Sequence, residues 1–373
     1  MKTQPSLWLM VLMLMFPQIV ETIYSPALGS IAQSFAVSET QAAQTLSVYF
    51  SAFAVGVAVW GVLADQLGRR PTMLLGLVIY GWAAFVAMQT ESFAVLMMAR
   101  ALSAFGIAVG SVVTQTMLRD AFDGAALGKV FSVMGLGIAI SPVIGMFLGG
   151  QLSQAGGHTY VFFALFAMAL GLFCYNFFRL PETQTTKQPF KLGSLSARML
   201  KDGHIWQSAL IVALYNIALF SYYQLGGFQL AALGFTPEQF GYSGVVLGLG
   251  SLLGSYLNKY LLAKNVSQPR LLQVAAMLFT LGAVGVDAML TSIGFLAPMM
   301  MVVMAFGIAI PNVLSMALNH YKQQAGSAGA LFGLMYYLLI GSGLGLAGAA
   351  QNLGTVLIAC GIGIVAITLS RRV

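Results

Sequence analysis

Two charged residues stand inside long apolar stretches of the sequence, Glu21 in the first stretch and Arg100 in the fourth. A charged side chain at mid-membrane costs about 2.5–3.5 kcal/mol or more, so it needs a partner or a water-filled cavity. Counted from the outer ends of their stretches at about 1.5 Å per residue, both lie on the order of 10–15 Å deep. The sequence therefore predicts that Glu21 and Arg100 interact, directly or through water, and that Glu21 carries a proton. The alternative is a permanently paired structural ion.

Polar and aromatic side chains could add a substrate-binding surface around this pair. In the fourth stretch, Ser111 and Gln115 share a helical face with Arg100, and that face should line a pathway. The other candidates are Tyr24 in the first stretch and Tyr215, Tyr222, Asn312 and Tyr336 in the second half of the chain. Groups of these types suit an organic solute with both apolar and polar parts. Helix packing is the competing interpretation for each of them.

The chain that positions these residues is too apolar for a soluble protein. Of its 373 residues, 59% are hydrophobic and 7% are charged, whereas a soluble domain has about a quarter of its residues charged. Apolar stretches of this length are typical of membrane-spanning helices. We predict twelve spans, at 7–31, 42–63, 72–89, 93–118, 130–152, 160–178, 205–230, 240–262, 271–290, 295–318, 325–350 and 355–369. The first stretch lacks a cleavage pattern, so we expect a retained helix and not a signal peptide.

The basic residues indicate how the spans are oriented. Of the 17 Lys and Arg residues, all except Arg100 fall at the termini, in even-numbered loops or, for Lys259, in the last turn of the span before such a loop. They are Lys2, Arg69, Arg70, Arg119, Lys129, Arg179, Lys187, Lys191, Arg198, Lys201, Lys259, Lys264, Arg270, Lys322, Arg371 and Arg372. The odd-numbered loops carry acids and one histidine but no Lys or Arg. This positive-inside pattern predicts an even number of spans with both termini in the cytoplasm. It also accounts for the net charge of +7 without a nucleic-acid partner.

A polar stretch divides the chain into two similar halves. We predict a first six-helix bundle at 1–178, a cytoplasmic linker at 179–204 and a second six-helix bundle at 205–373. A faint internal repeat agrees with this division, because the pair Gly61/Asp65 after the second span matches Gly254/Asn258 after the eighth. Such repeats place the substrate pathway between the halves. The predicted fold class is an all-α membrane protein with twelve transmembrane helices in two bundles.

The loop after the second span reads Gly61-Val-Leu-Ala-Asp65-Gln-Leu-Gly68-Arg69-Arg70-Pro71 and resembles the loop signature of the major facilitator superfamily. We interpret it as a gate latch. Gly61 and Gly68 would permit close backbone approach, and Asp65 would cap a helix or pair with Arg69 or Arg119. These contacts would hold the cytoplasmic ends of the bundles together in one state. The alternative is that Arg69 and Arg70 only anchor the topology.

The first span narrows this resemblance. Glu21-Thr-Ile-Tyr24-Ser-Pro26-Ala27-Leu28, together with Gln44-Thr-Leu-Ser47 and Arg119-Asp120, is similar to the bicyclomycin-resistance (Bcr/CflA) group of drug:proton antiporters. That group has its acid one residue later, where Thr22 stands here, and one residue is a turn of about 100° on a helix. The resemblance implies a proton-coupled drug exporter, with Glu21 and Arg100 as the proton-coupling residues.

The fifth span contains a third segment similar to the family. Gly137-Ile-Ala-Ile-Ser141-Pro142-Val-Ile-Gly145 resembles its antiporter motif, with Ser141 and Met146 in place of glycines. Pro142 would kink the helix, and Gly145 would permit close packing against the other half. In the family this motif marks export by exchange. The alternative interpretation of this segment is an ordinary Pro-kinked span with no role in exchange.

These observations lead to one predicted function and one runner-up. The sequence has no nucleophile constellation, metal-ligand cluster or phosphate-binding glycine loop, so we expect no enzyme, no cofactor and no metal. We expect a monomer in the bacterial inner membrane that exports a drug or a metabolite such as a siderophore in exchange for protons. The runner-up is import by proton symport, for example of a nucleoside. Asp287, near the outer end of the ninth span, is a second proton carrier or an interfacial acid.

Overall fold

The computed structural model describes residues 5–122, 124–184 and 193–370, and it is almost entirely helical. The first half contains α1 (Leu7–Ile23), α2 (Leu28–Ser34), α3 (Glu39–Leu67), α4 (Arg69–Gln89), α5 (Phe93–Ala121) and α6 (Gly124–Arg179). After a short helix, α7 (Gly193–Lys201), come α8 (Gly203–Ala232), α9 (Pro237–Ala263), α10 (Gln268–Met289), α11 (Leu296–Ala317), α12 (Ala325–Ala350) and α13 (Leu353–Ser370). Short 3₁₀ helices lie at Ser25–Ala27, Ile293–Phe295 and Asn319–Gln324.

Eleven helical segments of the described chain are long and apolar enough to cross a membrane. One of them, Lys129–Arg179, has 51 residues, whereas one crossing needs about 20. This segment breaks at Gly156 and Gly157, and Gly157 has a φ of +62° that favours glycine. Counting its two arms separately gives twelve crossings. The predicted fold class is therefore confirmed, and the described residues contain no strand.

Matching caps begin the second span of each half. Ser38 and Gln41 form a capping box at the start of α3, and Thr236 and Gln239 form one at the start of α9. Each box provides partners for backbone N–H groups that a helix N-terminus leaves unpaired. We call the end of the molecule that carries these two caps the outer end, and the opposite end the inner end.

The two halves meet toward the outer end. Helix α6 packs on α9 so closely that a Cβ added at Gly150 would lie 2.9 Å from the Cα of Gly241. Helix α3 packs on α12, where Gln44 Nε2 donates to the carbonyl of Gly345 at 2.9 Å. Among the described residues, every hydrogen bond between the halves lies in this outer part: Ser25–Tyr223, Gln44–Gly345, Ser47–Gly341, Gln151–Glu238, Gln151–Tyr242 and Gln224–Ala43.

Several residues used to predict the topology lie outside the described part of the chain. They are Lys2, Lys187, Lys191, Arg371 and Arg372, together with the side chain of Lys322. The cytoplasmic position of the termini and the domain boundaries after 178 and before 205 therefore stay predictions.

Candidate transport site

The first span breaks where the two halves meet. Helix α1 ends at Ile23 and a 3₁₀ turn follows with Pro26 inside it. Because proline has no backbone N–H, it suits the start of such a turn. Tyr24 is fully buried at the break, and its hydroxyl donates to Thr45 Oγ1 of α3 at 2.9 Å. Ser25 Oγ donates to the carbonyl of Tyr223 in the other half.

Both predicted charges are buried beside this break. Glu21 is 4% exposed and Arg100 is 1% exposed. The guanidinium carbon of Arg100 lies 3.8 Å from the centroid of the Tyr24 ring and 4.6 Å from that of Tyr49. Such cation–π contacts contribute about 2 kcal/mol when they are desolvated. The sequence predicts Glu21 as the partner of Arg100. In the structure, the rings of Tyr24 and Tyr49 are the groups that contact its guanidinium.

Glu21 and Arg100 interact without touching. Arg100 acts electrostatically on Glu21, but no hydrogen bond or ion pair joins the two side chains, and Glu21 Oε1 and Arg100 Nε have no hydrogen-bond partner among the described residues. An unpaired polar atom in a buried site is uncommon and calls for an explanation, such as a bound ligand or proton. The two residues thus share one site in which a carboxylate oxygen remains available.

Aromatic side chains from both halves form a connected cluster where the halves meet. We call this set the aromatic wall: Phe50 and Phe53 of α3, Phe220 and Tyr223 of α8, and Tyr336 and Tyr337 of α12. The ring centroids of Phe50 and Phe220 are 4.3 Å apart, and those of Phe53 and Tyr337 are 4.9 Å apart. Glu21 interacts electrostatically with Tyr223, Tyr336 and Tyr337.

The sequence predicts only Tyr336 of the aromatic wall as a binding residue. The Phe50–Phe53 spacing indicates a shared helical face, but an aromatic face on an apolar helix serves lipid contact and packing equally well. No sequence signal separates those roles from a binding role.

The neighbouring residue Thr22 faces a different helix. A Cβ added at Gly145 of α6 would lie 3.0 Å from the carbonyl oxygen of Ile19 and would also meet Thr22 Oγ1. Thr22 Oγ1 donates to the carbonyl of Gln18 at 2.9 Å. Position 22 therefore packs against α6, whereas the carboxylate at position 21 interacts electrostatically with tyrosines of the aromatic wall.

The same contact corrects the prediction for Gly145. This glycine permits close packing against α1 of its own half, not against the other half as the antiporter-motif resemblance implies. Contact with the other half begins at Pro142, whose carbonyl oxygen would lie 3.9 Å from a Cβ added at Gly244. Gly150, one turn beyond the motif, is the glycine at which the halves approach closely.

Three residues predicted to bind substrate pack inside the second half. The Tyr222 hydroxyl donates to Ser243 Oγ, and Asn312 Nδ2 donates to Asn258 Oδ1 at 2.7 Å. The ring of Tyr215 packs edge-on against Phe279 with centroids 5.3 Å apart. These contacts hold helices of one half together, and the binding role of Tyr215, Tyr222 and Asn312 stays a prediction. Ser111 and Gln115 are half-buried, and their role stays a prediction.

The loop between α3 and α4 forms an ion-paired network. Arg69 is 7% exposed. Its Nη1 contacts Asp65 Oδ1 at 2.7 Å and its Nε contacts Asp120 Oδ2 at 2.9 Å. Gly68, with a φ of +106°, makes the turn that glycine permits. We call Asp65, Arg69 and Asp120 the inner network. It joins α3, α4 and α5 of the first half and does not link the two halves in this state.

One detail of the predicted latch needs correction, and of the two pairings predicted for Asp65 the one with Arg69 is found. A Cβ added at Gly61 would meet nothing closer than Val112 Cγ1 at 3.8 Å, so the expected close backbone approach is not found there. Arg119 does not pair with Asp65, because its guanidinium lies 6.0 Å from the Phe131 ring centroid on the exposed side of α5. Arg70 Nη2 donates to the carbonyl of Phe177 at 2.7 Å.

The helix cap expected from Asp65 is supplied by Glu182 instead. The backbone N–H groups of Arg69 and Arg70, at the start of α4, each donate to the Glu182 carboxylate at 3.0 Å. A carboxylate at a helix N-terminus is stabilised by the helix dipole and by these N–H groups. Glu182 stands in a polar stretch more than a hundred residues away, so no local spacing in the sequence connects it with α4.

Comparisons with known proteins agree with this architecture. The profile of the Major Facilitator Superfamily matches residues 10–346. An uncharacterized transporter of Rickettsia bellii is 29% identical over 89% of this chain and 87% of its own length. The bicyclomycin resistance protein homolog of Haemophilus influenzae is 26% identical over 95% of this chain and 92% of its own length. These alignments confirm the resemblance that the motifs indicate.

The solved structures support the same fold. The xylose transporter XylE of E. coli, in a partially occluded inward open conformation, covers 97% of this chain with 95% of its own chain, at a TM-score of 0.73 and 13% identity. The chain is a multi-pass membrane transporter, not an enzyme, and it belongs to the major facilitator superfamily.

Proposed function

We propose that this transporter exports a small organic molecule across the bacterial inner membrane in exchange for protons. The observation that carries the proposal is the buried Glu21 carboxylate, which has an unpaired oxygen at the junction of the two halves. A carboxyl group in that position can hold a proton or face a substrate, and the aromatic wall offers the apolar surface that an organic solute needs. Relatives named for bicyclomycin and multidrug resistance support the substrate class.

The transport cycle follows from competition at Glu21. Protonation from the outer side removes the negative charge and favours release of the substrate, while loss of the proton to the cytoplasm restores the site. Two ligands that exclude each other at one site are coupled reciprocally, so each promotes the release of the other. The two halves rock about the site, and the glycine contact at Gly150 and Gly241 opens and closes the outer end.

The inner network has a separate role in this cycle. In the state described here the halves meet toward the outer end, and Arg69 is paired within the first half. We expect this network to present a preformed surface to the second half when the inner ends close. The protein works as a monomer with both termini in the cytoplasm.

The second candidate is uptake by proton symport. The antiporter motif of the fifth span, in which Ser141 and Met146 replace glycines, favours symport. Its Gly145 packs against α1 rather than against the other half. In that case a protonated Glu21 would accompany bound substrate instead of excluding it.

Purified protein in liposomes separates the two candidates. A panel of drugs, dyes and nucleosides is first screened by thermal shift at two pH values, and each hit is then loaded on one side of the membrane. Under an imposed pH gradient, antiport moves the solute toward the more acidic side and symport moves it away from that side. If none of the pH-sensitive hits moves in either direction, the proposed function is wrong.

A further inference from the structure

A polar cavity lies at the inner end of the second half and shares no residue with the candidate transport site. Its volume is about 400 Å³, within the range of about 300–1,000 Å³ that small-ligand sites occupy. It lies where α7 meets the start of α8 and the 3₁₀ helix Asn319–Gln324. The described residues that line it are Arg198, Lys201, Asp202, His320 and Tyr321.

The acid of this cavity is engaged by neutral donors. Asp202 caps α8, because its Oδ1 accepts from the backbone N–H of His204 at 2.9 Å. Its Oδ2 accepts from the Tyr321 hydroxyl at 2.8 Å. Tyr321 is 4% exposed, so this hydrogen bond ties the 3₁₀ helix to the start of α8. Each oxygen of the Asp202 carboxylate therefore has a partner that carries no positive charge.

The two cations of the cavity have no acidic partner in the described part of the chain. The guanidinium carbon of Arg198 lies 4.8 Å from the centroid of the Tyr321 ring, and neither Arg198 nor Lys201 forms an ion pair with a described residue. Arginine suits phosphate in particular, because its planar fork donates to two phosphate oxygens at once. Two positive charges and one engaged negative charge favour an anionic ligand in this cavity.

Helix α7 has the features of a helix that lies on a membrane surface. It packs on α8 and α12, and its Leu195 and Met199 are buried, whereas Leu200, next to the cations, is 55% exposed. Exposed apolar side chains flanked by Lys and Arg are typical of such helices. Trp206, at the start of α8, donates its Nε1 to the carbonyl of Leu200 at 2.9 Å, and tryptophan is enriched at the membrane–water boundary. The cavity therefore lies at the level of the lipid headgroups.

We propose that this cavity binds the phosphate of an anionic phospholipid in the cytoplasmic leaflet, with Arg198 and Lys201 as the residues that hold it. A phosphodiester carries one negative charge and balances the one excess positive charge of Arg198, Lys201 and Asp202. Cations at the cytoplasmic membrane surface attract anionic lipids, and basic pockets between membrane helices bind their headgroups. The site is independent of the proposed function, because lipid binds there in either direction of solute transport.

Lipid binding by the purified full-length protein tests the site. Delipidated protein in detergent is titrated with phosphatidylglycerol, and bound lipid is counted by native mass spectrometry. Loss of each cation should weaken binding roughly fivefold, so the double variant Arg198→Gln/Lys201→Gln should lose most of its bound lipid. The matched control is Lys264→Gln/Arg270→Gln, which removes two exposed cations near the connection between α9 and α10 at the same end of the molecule. Equal losses in the two double variants would overturn the proposal.

A variant that should strengthen binding excludes loss of folding as the explanation. Asp202→Asn removes the negative charge of the cavity and keeps the cap of α8, since asparagine caps a helix as well as aspartate does. We expect this variant to bind phosphatidylglycerol severalfold more tightly than the wild-type protein. Unchanged or weaker binding by Asp202→Asn would refute recognition of the phosphate by the charge of the cavity.

Two further ligands distinguish the possible sources of the phosphate. Phosphatidylcholine has the same phosphodiester with a compensating positive charge, and glycerol 3-phosphate has the phosphate without acyl chains. Preference for phosphatidylglycerol over both supports the anionic-lipid site. Equal binding of phosphatidylcholine would contradict the recognition of net negative charge, and equal binding of glycerol 3-phosphate would show that the site takes a soluble phosphate and not a lipid.

Discussion

The guanidinium carbon of Arg100 on α5 lies 3.8 Å from the ring centroid of Tyr24, which follows Glu21 by three residues on the first span. This contact holds a buried cation next to Glu21 without neutralising the acid. The hydroxyl of the same Tyr24 donates to Thr45 Oγ1 of α3 at 2.9 Å, and this hydrogen bond holds the break of the first span against α3. Arg100 thus contacts aromatic rings, while Glu21 Oε1 has no hydrogen-bond partner among the described residues.

Replacing Tyr24 tests this contact. Tyr24→Phe keeps the ring and loses one hydrogen bond, which costs about 1 kcal/mol. Tyr24→Leu also loses the cation–π contact of about 2 kcal/mol and leaves Arg100 with the Tyr49 ring alone. We expect the melting temperature to fall clearly more for Tyr24→Leu than for Tyr24→Phe, as measured by thermal unfolding in detergent. Equal losses would show that the ring does not stabilise Arg100.

The inner network should depend on the planar fork of an arginine. Arg69 contacts two carboxylates at once, a geometry that lysine does not reproduce. We expect Arg69→Lys to lower the stability by about 1–3 kcal/mol, the range for losing a charged hydrogen bond, and to slow turnover without weakening substrate binding. Arg70→Lys is the matched control, because Arg70 bonds only one carbonyl through its side chain. Similar effects in the two variants would contradict this role.

The packing of α6 on α1 should not tolerate a side chain at Gly149. A Cβ there would lie 2.8 Å from the carbonyl carbon and 2.9 Å from the Cα of Ile23, so the helices would have to separate. Overpacking of this kind costs about 1–3 kcal/mol. We expect Gly149→Ala to lower the melting temperature. Gly171→Ala, where an added Cβ meets nothing within 4 Å, should leave it unchanged or raise it.

His158, in the outer turn between the two arms of α6, should make the free energy of unfolding decrease in acid. Burial lowers the pKa of His158, whose ring packs 5.3 Å from that of Phe35. Below the ordinary histidine pKa of about 6.5, the unfolded chain binds a proton that the folded chain resists. The free energy of unfolding should therefore decrease as the pH falls through that value.

The histidine contribution is isolated with two variants. The drop in melting temperature between about pH 7.5 and about pH 5.5 should be smaller in His158→Phe than in the wild-type protein. His320→Phe, at an exposed position near the inner end, should keep the wild-type drop. An unchanged drop in His158→Phe would assign the pH sensitivity to another group.

The membrane fold and the two buried charges could be predicted from the sequence because both depend on composition. Long apolar stretches are required to cross a bilayer, and Glu21 and Arg100 stand out in them since ionised groups are rare there. The surroundings of these charges could not be predicted. Tyr49 and Tyr337 lie on long helices that are mostly apolar, so hydrophobic periodicity does not distinguish lipid-facing from buried positions.

The sequence does not decide the role of polar residues in the second half, for a related reason. Asn312 pairs with Asn258 because a polar group inside a bundle needs a partner. That requirement is met equally well by a neighbouring helix and by a substrate. Glu182 was missed because it reaches α4 only through the tertiary fold.

The central claim is that Glu21 is the proton-coupling group, and the pH dependence of substrate binding tests it most directly. Affinity for a transported solute is measured on purified protein across the pH range for the wild type, Glu21→Gln and the control Glu91→Gln. If Glu21 couples protons to binding, affinity varies with pH in the wild type and in Glu91→Gln but is constant in Glu21→Gln. A folded Glu21→Gln variant that keeps the wild-type pH dependence would contradict the account.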